Sequence, residues 1–354
     1  MKRIILLITA VLIGFTTNAQ EKRMAVVQTS TCYMRLQPDY EAALETQELM
    51  GTVVEVVGSS RYWRQIVCPQ PYKAWTTSMT IVEMTGEQIE EYEKAPKYIY
   101  TAEYGHLFTK PDINSNRICD LVGGDVLRVV EKPVKEKSKT ERLIEELGVR
   151  LAGLKNEICP PITAPEKQEI WVEAMLPSGK TGWIKANDVR LLGERINAEM
   201  GKDIQGCISP EKIEGAIAQA QKMVGVPYLW GGMSSKGVDC SGLVRICFLM
   251  NDVLLPRNAS QQIKCGQRIE LPLKDIKDGY DVETAQKATE GLKRGDLVFF
   301  GKIDEMRVSH VALYLGDGKI IHSSHLVRIN SLIPGENDYY EGAGKLIGAC
   351  RLSY

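Results

Sequence analysis

Short apolar runs punctuate the first half of the chain. Met24 to Val27, Val53 to Val57 and Trp63 to Val67 are separated by turn residues, a spacing that predicts a small all-β unit. The pattern returns from Tyr98 through Asp125 to Val130, Ile170 to Ala174 and Thr181 to Ile184. An echo links the two stretches. Trp63 opens a run that leads to Ala74 and Trp75, and Trp171 opens one that leads to Gly182 and Trp183. Such a repeat predicts two small barrels rather than one large β domain. Residues 132–167 interrupt the second. They are charged, the centre at 140–155 has helical periodicity, and the stretch reads as a loop insertion.

From about residue 211 the period changes. Ile213 to Val224 is a helical pattern, and so is Ser241 to Met250, with Leu243, Val244, Cys247 and Phe248 on one face. Asp296 to Phe300, Val311 to Leu315 and Lys319 to His322 follow as strands. Helices first and antiparallel strands after predict an α+β domain. The opening of the chain differs from all of this. Lys2 and Arg3 precede an apolar run from Ile4 to Phe15, and Thr17, Asn18 and Ala19 are small or polar. This predicts a signal peptide cleaved after about Ala19, since the run is short of the roughly 20 residues of a membrane span. No later run is apolar enough to span, so the mature chain is expected to be exported, periplasmic or extracellular.

Charge is balanced, with 44 Lys+Arg against 45 Asp+Glu and no long block of one sign, which argues against a nucleic-acid partner. There are nine cysteines, an odd number, so an exported chain keeps at least one free thiol. Cys240 stands at the start of a predicted helix, where the positive end of the dipole is expected to lower its pKa. Cys247, on the apolar face, reads as structural.

A thiol nucleophile needs a base. Of the four histidines, His310 and His322 flank Gly316, Asp317 and Gly318, a hairpin signal. A three-residue loop puts Ala312 opposite His322 and both imidazoles on one sheet face. A two- or four-residue loop puts them on opposite faces. If they share a face, one can act as base and the other orient it. His322 and His325 have neither helical spacing nor a nearby carboxylate, so no metal is expected, and no cofactor. Tyr228 lies twelve residues before Cys240 across a Gly- and Ser-rich loop, where a phenol could face an oxyanion.

Together the segments Pro227 to Gly232, Asp239 to Gly242, Leu255 to Ala259, Lys293 to Phe300, Ser309 to Gly316 and Ile320 to Ser323 resemble the NlpC-type papain-like cysteine peptidases. The resemblance implies Cys240 as nucleophile, His310 as base, His322 as orienting residue and Tyr228 as oxyanion helper. It implies amide cleavage in bacterial cell-wall peptides. Leu44 to Gly51, Trp63 and Tyr72 to Trp75 further resemble the first bacterial SH3-like barrel of the YkfC-like γ-D-glutamyl-L-diamino acid endopeptidases, or dipeptidyl-peptidase VI. That likeness implies Glu45 and Tyr72 at a wall admitting a free N-terminal L-Ala, with Asp239, Ser241, Asn258 and Ala259 lining the pocket. Relatives often have an acid where this chain has Asn258, which accepts a hydrogen bond but carries no charge.

The expected organisation is a signal peptide at 1–19, SH3-like barrels at 20–95 and 96–195, and an NlpC-type domain at 205–354. The expected protein is a monomer acting on cell-wall muropeptides with a free N-terminal L-Ala and releasing L-Ala-D-Glu. A non-catalytic peptidoglycan-binding protein and a lytic endopeptidase on intact peptidoglycan are the alternatives.

Overall fold

The structure, a computed structural model, describes residues 22–69, 72–130, 169–198 and 208–352. The expected signal peptide and the insertion at 132–167 lie outside the described residues.

The first half holds two seven-stranded antiparallel sheets. Across the first run Leu44–Leu49, Thr31–Arg35, Lys73–Thr77, Trp63–Val67, Val53–Ser60, Met24–Val27 and Ile81–Met84. Across the second run Arg117–Val122, Tyr104–Phe108, Thr181–Lys185, Trp171–Met175, Val126–Val129, Lys97–Tyr100 and Val189–Leu191. Strand for strand the order is the same. The tryptophan echo falls on matched positions: Trp75 pairs with Gln65 and Trp183 with Glu173. Alternation along the strands gives each sheet its own core, with Met34, Val54 and Ile66 in one and Leu107, Leu121 and Ile184 in the other.

Residues 20–95 are not purely β. A helix, Gly86–Lys94, closes the first unit. Thr85 and Gln88 form a reciprocal capping box, with the Thr85 N–H on Gln88 Oε1 at 2.9 Å and the Gln88 N–H on Thr85 Oγ1 at 3.3 Å. The helix buries only Ile89 and Tyr92, so its charged sequence carries little apolar period.

The last unit is α+β. Its six-stranded sheet runs Gln267–Ile269, Leu346–Arg351, Leu297–Lys302, Arg307–Gly316, Lys319–Ser324 and Leu326–Ser331. Helices Pro210–Lys222 and Cys240–Leu249 pack with Leu297, Phe299, Val311, Leu313 and Ile321 on one face. Two further helices, Leu273–Asp278 and Val282–Glu290, put Ile276 and Ala288 against Val298, Phe300, Ala312 and Ile320 on the other. Both precede the five strands from Leu297 onward, as expected, and of this sheet only the short strand Gln267–Ile269 stands ahead of them.

Polar contacts lock the three units together. Asp125, fully buried, accepts the N–H of Val122 at 2.9 Å and of Met50, just past strand Leu44–Leu49 of the first sheet, at 3.1 Å. Leu49 belongs to the core cluster of the last unit beside Ile246. A buried ion pair joins Glu48 to Arg245 at 3.3 Å. Among the described residues no helix is long and apolar enough to cross a membrane, and Cys32, Cys68, Cys119, Cys240, Cys247, Cys265 and Cys350 are free thiols.

Candidate active site

Cys240 is the first residue of helix Cys240–Leu249, and Asp239 caps that helix by accepting the Gly242 N–H at 2.7 Å. The opposing hairpin turns differently from the simple three-residue loop. Gly316 pairs with Lys319, so the loop itself is Asp317 and Gly318, both at positive φ. That two-residue turn alone would have put the histidines on opposite faces. The register then shifts by one residue between Tyr314 and Gly316, and Leu313 pairs with Ile321. The bulge restores the parity. His310 and His322 share a face, with His310 Nε2 and His322 Nδ1 2.7 Å apart.

A residue that the sequence reading missed completes the row. His322 Nε2 lies 3.0 Å from Asn330 Oδ1, and Asn330 Nδ2 donates to the main-chain oxygen of Asp338 at 2.7 Å. That carbonyl can only accept, which fixes the amide orientation, and protons follow in sequence. Asn330 Oδ1 accepts from His322 Nε2–H. His322 Nδ1 then accepts from His310 Nε2–H. His310 Nδ1 is left with its lone pair. Tyr340, also unforeseen, packs edge-on to His322 with centroids 4.7 Å apart.

The pairing of the two histidine-bearing strands ends at Leu313 and Ile321, and the backbone of Val311, next to His310, comes close enough to Cys240 to favour its thiolate. The nucleophile candidate thus sits where the strands part. Its pKa is not lowered, as expected from the helix dipole, but raised to about 11, by burial first and then by the Asp239 carboxylate. A helix terminus contributes about 0.3–1 kcal/mol at most sites, whereas burial shifts a thiol by several pKa units. Burial, the neighbouring His322 and the Arg328 guanidinium hold His310 down to about 3. Burial likewise holds His322 down to about 4, against its bond to Asn330. The resting pair is therefore neutral thiol and neutral imidazole.

Tyr228 is half-buried and close enough to feel both Cys240 and Asp239, with its phenol pushed up to about 12 by burial and then by those charges. Asp239 and Ser241 turn inward. Arg257 donates to Asp239 Oδ1 at 3.0 Å, to Asp239 Oδ2 at 2.5 Å and to Ser241 Oγ at 3.0 Å. The Gly231 N–H donates to Oδ2 as well, at 3.0 Å. Ala259 opens the short helix Ala259–Gln262.

The edge strand Leu44–Leu49 closes this site from the first sheet. Thr46 Oγ1 accepts from Arg257 at 2.7 Å, and Gln47 Oε1 from the Met233 N–H at 2.9 Å. Gly231, at φ 76°, allows the approach, because a Cβ there would meet the Glu45 carbonyl oxygen at 3.0 Å. Tyr72 donates its hydroxyl proton to Glu45 Oε1 at 2.6 Å, and the Asn258 side chain lies near enough to the phenol to favour its ionised form. Among the described residues no Lys or Arg pairs with Glu45, and no group of His, Cys, Asp and Glu is arranged to hold a metal.

Residues 225–341 match the NlpC/P60 family. A γ-D-glutamyl-L-lysine dipeptidyl-peptidase of Bacillus cereus is 28% identical over 179 residues, 49% of this chain and 45% of that protein, so the chain spans less than half of that relative's length. Dipeptidyl-peptidase 6 of Lysinibacillus sphaericus is 22% identical over 87% of this chain and 91% of that one. The crystal structure of an NlpC/P60 family protein from B. cereus superposes with a TM-score of 0.64 at 19% identity, covering 93% of this chain and 99% of that one. The likeness extends over the β-rich half. The cysteine, both histidines and the asparagine fall within the matched span, and residues 225–341 form an NlpC/P60 domain in the C-terminal part of this chain.

Proposed function

We propose that this protein is a cysteine endopeptidase that cuts the γ-D-glutamyl-L-diamino acid bond of cell-wall peptides with a free N-terminal L-Ala, releasing L-Ala-D-Glu. The observation that carries this reading is the oriented row from the Asp338 carbonyl to His310 Nδ1. In it His310 Nδ1 takes the Cys240 proton as sulfur attacks the γ-carbonyl. Burial of both groups makes a standing ion pair costly, so transfer accompanies attack. Tyr228 and the Cys240 backbone N–H receive the oxyanion. The intermediate collapses, His310 returns the proton to the leaving amine, and water then frees the acyl group through the same base.

Substrate choice is assigned to the first sheet. Glu45, oriented by Tyr72, meets the substrate ammonium with charge-assisted hydrogen bonds. Asn258 acts through Tyr72, and Asp239, Ser241 and Ala259 shape the pocket floor. The two sheets are read as SH3-like barrels, 20–95 and 96–195, ahead of the peptidase domain at 205–354. Residues 1–19 direct export, which brings the enzyme to its muropeptide substrates as a monomer.

Incubation with L-Ala-γ-D-Glu-meso-diaminopimelate should give L-Ala-D-Glu, and Cys240→Ala should give none. Equal product from both proteins, or no product from the unaltered one, would sink the reading.

A further inference from the structure

The charges around the site balance except at two places. Asp239 is neutralised by Arg257, and Glu48 by Arg245. Glu45 remains on the Tyr72 and Asn258 side. Arg328 remains on the histidine side. It stands directly opposite His322 across the strand pair Lys319–Ser324 and Leu326–Ser331, on the face that carries His322 and Asn330. Its charge reaches His310, His322 and Tyr340. Its side chain is half-buried, Nε is fully buried with no hydrogen-bond partner, and among the described residues no carboxylate pairs with it. An uncompensated guanidinium in such a place is costly unless an anion joins it when the site is filled.

We propose that Arg328 binds the α-carboxylate of the residue that leaves, making the enzyme selective for peptides that end at the diamino acid. This rests on the reaction proposed above. In that reaction His310 hands its proton to the leaving amine, so the leaving residue lies on the histidine side of Cys240. The α-carboxylate of that residue is attached to the same carbon as the leaving amine, which makes it the anion nearest the histidine pair. A planar guanidinium grips a carboxylate through two parallel N–H bonds. With Glu45 holding the ammonium two residues upstream, the site then carries one unpaired charge of each sign for a short zwitterionic peptide. Extending the stem by a further residue turns that carboxylate into an amide and removes the partner.

The test compares L-Ala-γ-D-Glu-L-Lys carrying a free α-carboxylate with the same peptide as its α-carboxamide. A third peptide has the D-Glu α-carboxylate amidated instead. The unaltered enzyme should favour the free leaving-residue carboxylate by about tenfold to a hundredfold in kcat/KM, the range of a charged hydrogen bond. Arg328→Gln should bring that ratio close to one, and Arg328→Lys should keep part of it. A ratio near one in the unaltered enzyme overturns the proposal. So does an Arg328→Gln variant that keeps the ratio while only its pH profile moves, since that is the mark of a purely electrostatic effect on the histidines. Loss of preference confined to the D-Glu carboxylate overturns it in favour of the acyl side. Dissociation constants for the same peptides on Cys240→Ala and Cys240→Ala/Arg328→Gln apply the test without turnover. Failed cleavage with an Arg328-dependent carboxylate preference in binding overturns the reaction and not this inference; cleavage without the preference does the reverse.

Discussion

The two seven-stranded sheets share a strand order but do different work. The edge strand of the first, Leu44–Leu49, enters the site with four consecutive polar side chains. Glu45 meets Tyr72, Thr46 meets Arg257, Gln47 meets Met233 and Glu48 meets Arg245, and the last three are buried. The matching strand of the second sheet, Arg117–Val122, puts only its terminal Val122 into the core of the last unit, and its polar contact there is the partly exposed pair of Asp120 and Lys236. The same topology thus supplies a wall of the site in one copy and an outer brace in the other. Function here follows which edge strand is buried against the catalytic unit and not which fold it belongs to.

The largest test of that contrast is Glu48→Ala. It leaves Arg245 buried without its partner, and losing one member of a buried pair costs about 3–5 kcal/mol. Urea unfolding of the full chain should show a loss of that size. A loss below about 1 kcal/mol would mean that the first sheet is no more tightly coupled than a surface pair.

Glu45→Gln separates recognition from folding on the same strand. A half-buried carboxylate with no cationic partner among the described residues contributes little to stability. Removing its charge should lower kcat/KM on free-amine peptides by about tenfold to a hundredfold, with the unfolding midpoint nearly unchanged. N-acetylated peptide, already poor, should lose little more. Equal losses on both peptides would detach Glu45 from the ammonium.

The histidine row is the part of the site that neither sheet supplies, and its proposed role can be read through pH. His310 and His322 are held below the ordinary histidine value of 6.5, to about 3 and about 4. The acid limb of kcat/KM, which reports the free enzyme, should therefore fall well below 6.5. Stability carries the opposite-looking but consistent sign. As pH drops below 6.5 the unfolded chain takes up protons that the folded histidines refuse, so stability declines on acidification towards their folded values. Asn330→Ala removes the acceptor that sets the His322 tautomer and should cut kcat by about tenfold to a hundredfold. An unchanged kcat would leave the asparagine a packing residue.

How much of this was legible in the sequence depended on distance along the chain. That Cys240 opens a helix and that His310 and His322 share one hairpin face could be read because a helix start and one hairpin are local. The parity argument reached the right face through the wrong loop, since the bulge near Leu315 compensates for the short turn at Asp317 and Gly318. Asn330 and Arg328 needed the next register as well, across a turn in which His325 sits at φ 65°. Arg257, central to the floor, is set by partners 18 and 211 positions away, Asp239 and Thr46, and no periodicity announces such a pairing. The thiol pKa was misjudged for a related reason. The helix dipole is visible in sequence, whereas nine-tenths burial is a property of the assembled units.

The smallest expected effect tests the second sheet. Asp120 and Lys236 are each about one-third exposed in their side chains, at 37% and 34%, so screening by water discounts their attraction to about 1 kcal/mol or less. Asp120→Ala should cost no more than that in urea unfolding and should leave kcat/KM on the free-amine peptide within error. The loop that carries Lys236 also carries Met233, which Gln47 of the first sheet already holds through its backbone N–H. If that bond suffices, the second sheet is dispensable for aligning the loop. A drop in kcat/KM larger than about threefold without matching destabilisation, on the same footing as 1.4 kcal/mol per tenfold, would show that both sheets position the site and that the division between wall and brace is wrong.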